Sequence, residues 1–239
     1  MPLPKLTVKT TVVVLPISQK SVLIKPMTVA QQIDMMEAQE KADATKQITV
    51  LKNILSGCVS SEDVKFKVGK LLYAEAEYLL LKIRAVSGSD TTEDVKFPGA
   101  TGVDTFSLTD DVSIVGESRP GYVDIGGEVP MKIMFTLPTL EMVERQTALN
   151  GNLSQTEQSF GLILSCVENV CDQLTVNVVG KDITEKELRE FIGCFTGTMF
   201  EPVTRYFAAI PQVCVTVSGR KLLGLGNIFV AINAAKKSE

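Results

Sequence analysis

The chain has 239 residues, of which 45% are hydrophobic and 22% charged, and a formal net charge of −4. That length serves one large or two small domains, and the balance fits neither a disordered nor a fibrous chain. The acidic surplus supplies no field for a phosphate backbone, which needs clustered Lys and Arg, so nucleic acid is not an expected partner.

Lys5, Lys9, Lys20 and Lys25 stand in a stretch with no acid among the first 27 residues. They alternate with Val12, Val14, Leu15 and Ile24, as lysines do on the solvated face of a strand pair or beside a sheet edge. The longest uncharged runs, 206–219 and 222–235, fall short of the roughly 20 apolar residues of a spanning helix. No secretory leader pattern opens the chain, so cytosolic synthesis and no membrane contact are expected. Five cysteines at irregular spacing read as small buried hydrophobes rather than a disulfide framework.

Residues 7–25 predict two strands joined by a short turn at 16–19. Thr28 to Gln31 fits a capping box, followed by an amphipathic helix to about Lys41 that presents Val29, Ile33 and Met36 at i, i+4 and i+7. A second helix begins near Thr45, with Ile48, Leu51 and Leu55 on one face. A third runs from about Lys70 to Ala85; it buries Leu72, Ala76, Leu79 and Ile83 and turns Glu75, Lys82 and Arg84 outward. The three are expected to pack together. Glycines then punctuate short alternating segments across 90–136, which reads as a β insert with long loops.

After a short helix at 139–148, the spacing of Phe160, Ile163, Val167, Val170 and Leu174 predicts one long helix. On it Cys166 and Cys171, five apart, are badly placed to share a metal. Capping boxes at Thr184–Glu187 and Thr198–Glu201 open a C-terminal helical pair that buries Phe191, Phe195, Phe200 and Phe207. Val213, Val215 and Val217 alternate as a strand before a turn at Ser218-Gly219. The closing apolar run, 222–232, reads as either a buried strand or a segment docked on a neighbouring subunit. The expected class is α+β: an N-terminal hairpin and three helices (1–89), the β insert (90–136), and a helical region with a closing β segment (137–239), all in one compact body.

Without histidine, Ser-His-Asp and Cys-His catalysis, His-containing zinc sites and the commonest general base are all ruled out. The nearest acid pairs, Glu75 with Glu77, Asp110 with Asp111 and Glu185 with Glu187, sit in ordinary helical or loop contexts. Glu185 and Glu187 occupy a first helical turn, where the macrodipole favours acids. Gly224-Leu225-Gly226 lacks the third glycine of a dinucleotide fingerprint, and Gly69-Lys70 and Gly180-Lys181 lack the rest of a phosphate loop. No catalytic, cofactor-binding or metal-binding residue is therefore assigned, no cofactor is expected, and the chain reads as a non-enzyme.

Several segments resemble one family. LPISQKSVLIKPMTVAQQ is similar to an opening in which a short turn leads to an "IRPF-V-EEK" stretch, with Lys25 for the arginine and Gln31 and Gln32 for the glutamates. Glu77-Tyr78-Leu79-Leu80-Leu81-Lys82-Ile83-Arg84 follows "EWLFLKLR" almost position for position, and Leu137-Pro138-Thr139-Leu140 is similar to "YPTL". ITEKELREFIGCFTGTMFEPVTRYFAAIPQV resembles the family's closing helical pair, and LLGLGNIFV its "LKGL-NFF" end. These are features of the T-even-type phage baseplate protein family, which includes the baseplate hub subunit.

The resemblance implies a structural or assembly subunit of a contractile tail, located in the virion baseplate. Its implied partners are other hub proteins and the tape measure protein, in a symmetric multi-copy assembly. A tail assembly chaperone that binds the tape measure protein and leaves the finished virion is the alternative. Some members carry a C-x-x-C pair in the final hairpin; here Cys214 stands there without a partner cysteine, so no metal is expected.

Overall fold

The computed structural model describes residues 8–40, 44–88, 91–117, 119–126, 130–150 and 154–237. Among them are eight α-helices and twelve strands in small sheets, a mixed α+β chain as the sequence predicts. They divide into two compact units: residues up to Val115 together with those from Gln212 onward, and Gly116–Pro211. This division cuts across the segments drawn from sequence, because the boundary falls inside 90–136.

The first unit opens with the expected hairpin, β1 (Thr11–Val14) and β2 (Ser21–Ile24), extended by β3 (Val59–Ser60). Helices α1 (Val29–Glu40), α2 (Ala44–Cys58) and α3 (Tyr73–Ser87) follow close to their expected bounds. Thr28 caps α1 as a box: its Oγ1 accepts the Gln31 N–H at 3.3 Å, and Gln31 Oε1 accepts the Thr28 N–H at 2.9 Å. Helix α1 packs on α2, and α2 on α3.

One expectation for α1 is corrected. It buries Met35 and Ala38 and leaves Val29, Ile33 and Met36 72%, 51% and 58% exposed. Its sequence carries two apolar stripes; α1 packs on α2 through the one with Met35 and Ala38, and the other has no cover among the described residues.

Strands β4 (Thr92–Val95) and β5 (Asp104–Ser107) pair with each other, while β6 (Val112–Val115) joins β11 (Gln212–Val217) and β12 (Arg220–Leu223). Thus the second unit leaves the first after β6 and returns at β11, and these two strands are paired with Val115 opposite Gln212. The apolar run after residue 222 is corrected too: the strand ends at Leu223, and α8 (Leu225–Lys236) follows. Gly224, at φ +78°, makes the turn between them, a left-handed conformation that suits glycine. Leu225, Ile228, Ala231, Ile232 and Ala235 are buried at helical spacing, so the run is core of its own unit.

The second unit is built on an antiparallel sheet ordered β10-β9-β8-β7, from β7 (Gly121–Ile125), β8 (Met131–Phe135), β9 (Val167–Cys171) and β10 (Val176–Val178). Helices α4 (Leu140–Asn150), α5 (Gln155–Ser165), α6 (Glu185–Gly193) and α7 (Gly197–Ala209) complete it. The predicted long helix ends at Ser165, and Leu174 lies 94% exposed in a turn. Cys166 accordingly caps the end of α5 and Cys171 is the last residue of β9, so the two share no helix.

The misleading helical spacing has a physical cause. Met134 pairs with Asn169 and Phe135 with Val167, so Glu168 is an extra residue. This bulge turns both Val167 and Val170 inward although they are three apart, a period that mimics a helix.

The capping box at Thr184 and Glu187 forms as predicted. That expected at Thr198 is replaced by Thr196, whose side chain accepts the Met199 N–H at 3.4 Å. The sequence does not single out Ser154, which with Glu157 forms a box opening α5. Phe135, Ile133, Val167, Leu188, Ile192 and Val203 are buried in one cluster, against which Phe191, Phe195, Phe200 and Phe207 pack while only partly buried. Phe135 meets Phe207 edge-on at 5.2 Å and stacks on Tyr206 at 5.3 Å. Truncation of this fully buried ring, Phe135→Ala, is expected to cost about 3–5 kcal/mol by leaving a cavity in the aromatic cluster. Chemical denaturation of the full chain measures it, and an unchanged midpoint would contradict the packing.

Candidate functional site

Helix α3 is enclosed on most of its surface, touching α2, β6 and β11. A helix so enclosed should be apolar all round, yet α3 buries Glu75, Glu77 and Lys82, exposed by only 1%, 6% and 9%. Glu75 and Lys82, expected to point outward, are thus corrected to core. Spaced seven apart, they share one face of the helix, while Glu77 and Arg84 share the opposite one. The absence of a single polar side was the available signal that the helix is surrounded.

Each of these groups fastens a different element. Glu75 Oε1 accepts the N–H of Ile17 at 3.0 Å and of Ser18 at 2.6 Å, holding the turn of the β1–β2 hairpin. Lys82 Nζ donates to the carbonyls of Leu108 and Thr109, fixing the turn between β5 and β6, and lies 5.0 Å from the centre of the Tyr78 ring. Burial pulls the Lys82 ammonium below the usual lysine range, against the attraction of Asp110. Arg84 pairs with Glu93 on β4, both side chains about 15% exposed. At the helix end, Ser87 Oγ accepts the Met27 N–H at 2.8 Å and donates to Ile83 O.

Glu77 accepts from the Tyr73 hydroxyl and from the Leu225 N–H. Because Gly224 has no side chain, the start of α8 takes its cap from this carboxyl on another helix. Burial pushes the Glu77 carboxyl up from 4.5 to about 7, against these two hydrogen bonds. Burial likewise carries the Tyr73 phenol well above its ordinary value, with Glu77 adding to the rise. Glu77 and Tyr73 border a cleft of about 420 Å³ whose walls include Met35, Leu51, Ile54 and Phe229. Gln39 also lines it, and its Nε2 is buried without a hydrogen-bond partner among the described residues.

The acid pairs considered from sequence do not converge. Glu75 and Glu77 reach different elements. Asp110 and Asp111 both bind Ser107, through its hydroxyl and its N–H. Glu187 caps α6, and Glu185 pairs with Arg145 at 3.2 Å. Burial pushes the Cys166 thiol up to about 12, the range of an inert buried thiol rather than a nucleophile. Among the described residues no cluster of His, Cys, Asp and Glu is arranged to hold a metal, and no helix is long and apolar enough to cross a membrane.

The buried ionic groups of α3 thus end on the chain's own backbone and side chains, within a mixed α+β fold. The family model described as T4 bacteriophage base plate protein matches residues 7–220, and the chain belongs to that family. It is a phage baseplate structural protein, with its place in the phage tail. No curated protein and no solved structure matches it.

Two measurements test the contacts of α3. Glu75→Ala leaves two N–H groups of the hairpin turn without their acceptor and should cost about 1–3 kcal/mol, with faster amide exchange at Ile17 and Ser18. Unchanged exchange there would show that the turn holds itself. For Glu77, the folded chain keeps its proton to higher pH than the unfolded chain. Its contribution is therefore fully present below pH 4.5 and declines as pH rises towards and past about 7. Unfolding free energies of the native chain and of Glu77→Gln, measured from pH 5 to 8, should diverge in the native chain's disfavour as pH rises; parallel curves would contradict this.

Proposed function

We propose that this baseplate protein is a subunit of the central hub of a contractile tail, a non-enzyme working through protein–protein contacts. Its proposed partners are the other hub proteins and the tape measure protein, in a symmetric multi-copy assembly. The observation that carries the reading is the family match over residues 7–220. The resemblance of the Glu77–Arg84 segment to the hub-containing family supports it. Exposed apolar residues near the N-terminus, Val12, Val14, Val29, Ile33 and Met36, suit a subunit with surfaces to cover.

Quantitative mass spectrometry of purified virions tests it. Three or six copies per tail are expected, in accord with closed symmetry. Absence from the virion, with recovery bound to the tape measure protein in infected cells, would overturn the hub reading in favour of an assembly chaperone.

A further inference from the structure

Strand β1 is the outer strand of its sheet, with β2 on one side. Exposed edges are usually blunted by a charge, a proline or a bulge within the strand, because unpaired N–H and C=O groups invite another strand. Thr11-Val12-Val13-Val14 has none of these, and its pairing with β2 is regular. The Leu15 N–H donates to the Lys20 carbonyl at 2.9 Å, which by antiparallel alternation makes Val13 and Thr11 the residues bonded to β2. The N–H and C=O groups of Val12 and Val14 therefore face away from β2, towards an edge that no described strand covers, and their side chains are 63% and 52% exposed. Val8–Thr10, just before the strand, are exposed as well.

Charge says what kind of strand fits. The first acid in the chain is Asp34, so the hairpin carries only lysines, in a molecule of net charge −4. Thr11 lies opposite Ile24, which brings Lys9 and Lys25 to one end of the hairpin, while Lys20 stands at the other. Lys9 and Lys25 are exposed and form no ion pair among the described residues; Lys20 reaches Asp63 at 3.8 Å on the surface. Beside β1 lies a groove of about 320 Å³ lined by Val12, Leu23 and Lys20 together with Glu62 and Asp63. The acids and the absence of aromatic rings among the residues lining the groove disfavour a phosphate backbone.

We infer that β1 is a docking edge that an extended segment of another baseplate protein joins as an additional strand, roughly six residues with a β-branched or apolar centre and acids at the end that meets Lys9 and Lys25. Main-chain hydrogen bonds to Val12 and Val14 supply the pairing, and Lys9 and Lys25 select the acidic flank. The inference rests on the baseplate reading and supplies one of its contacts.

A photo-crosslinking residue in place of Val12, introduced into the full chain in infected cells, identifies the segment that lies on this edge. A synthetic peptide of the mapped segment is then the probe. The expected result is an acid-flanked segment of another phage protein, whose peptide slows amide exchange at Val12 and Val14. Val12→Pro removes only an outward N–H, so it should weaken peptide binding at least about tenfold with an unchanged melting temperature. Lys9→Glu combined with Lys25→Glu, two exposed positions, should do the same and lessen the salt dependence. Crosslinks confined to a second copy of this chain, to nucleic acid or to a helical or basic segment would overturn the inference, as would no crosslink. So would full binding by folded variants. Virion copy number is read separately, so an edge that pairs in cells while the chain is missing from virions sinks the hub reading and leaves the edge intact.

Discussion

The first unit depends on one constraint: α3 is buried on nearly every side, and it carries charges on opposite faces. An unpaired charge in such a place costs several kcal/mol, so each must meet a fixed partner. The partners are spread through the sequence: the hairpin turn at Ile17 and Ser18, the start of α8 at Leu225, the turn at Leu108 and Thr109, and Glu93 on β4. Elements more than fifty residues away on either side are thereby held to one helix in one register. Apolar packing alone would favour association of the same elements without fixing which turn meets which residue of α3.

The second unit is organised differently. Its core is an aromatic and aliphatic cluster on the sheet β10-β9-β8-β7, with no buried ionic group among the described residues. Here a bulge and a glycine set the geometry. Glu168 is the extra residue that lets Val167 and Val170 both reach the core. Gly116, at φ +117°, passes so close to the Ile210 carbonyl that a Cβ would stand 2.6 Å from that oxygen. The incoming and outgoing ends of the unit can lie this close only because position 116 has no side chain.

Elements with their own local signals were legible in the sequence: the β1–β2 hairpin from its alternation, α1 and α6 from their capping boxes, and β11 from Val213, Val215 and Val217. Failures arose where a tertiary effect imitated a local one. The bulge gave β9 a helical period, and Gly224 with Gly226 suggested a weakened strand where a positive-φ turn begins α8. Burial of Glu75 and Lys82 was missed because charge at regular spacing ordinarily marks a solvated face. The division into units was not legible either, since the pairing of β6 with β11 joins residues about a hundred positions apart and leaves no trace in composition.

The same buried contacts bear on how the protein meets others. Exposed apolar residues elsewhere, such as Val64 and Leu149, are scattered along the sequence, which is ordinary for a protein surface. Those of the N-terminal region recur at regular positions, alternate residues on β1 and i, i+4, i+7 on α1. Both elements are tied to α3 by hydrogen bonds rather than packing alone: Glu75 holds the hairpin turn, and Ser87 holds Met27 just before α1. A surface fixed in this way loses little conformational entropy when a partner covers it, so more of the contact free energy remains as affinity. The charges buried on α3 therefore serve two levels of the structure, setting the register of the first unit and presenting its N-terminal elements in a defined geometry.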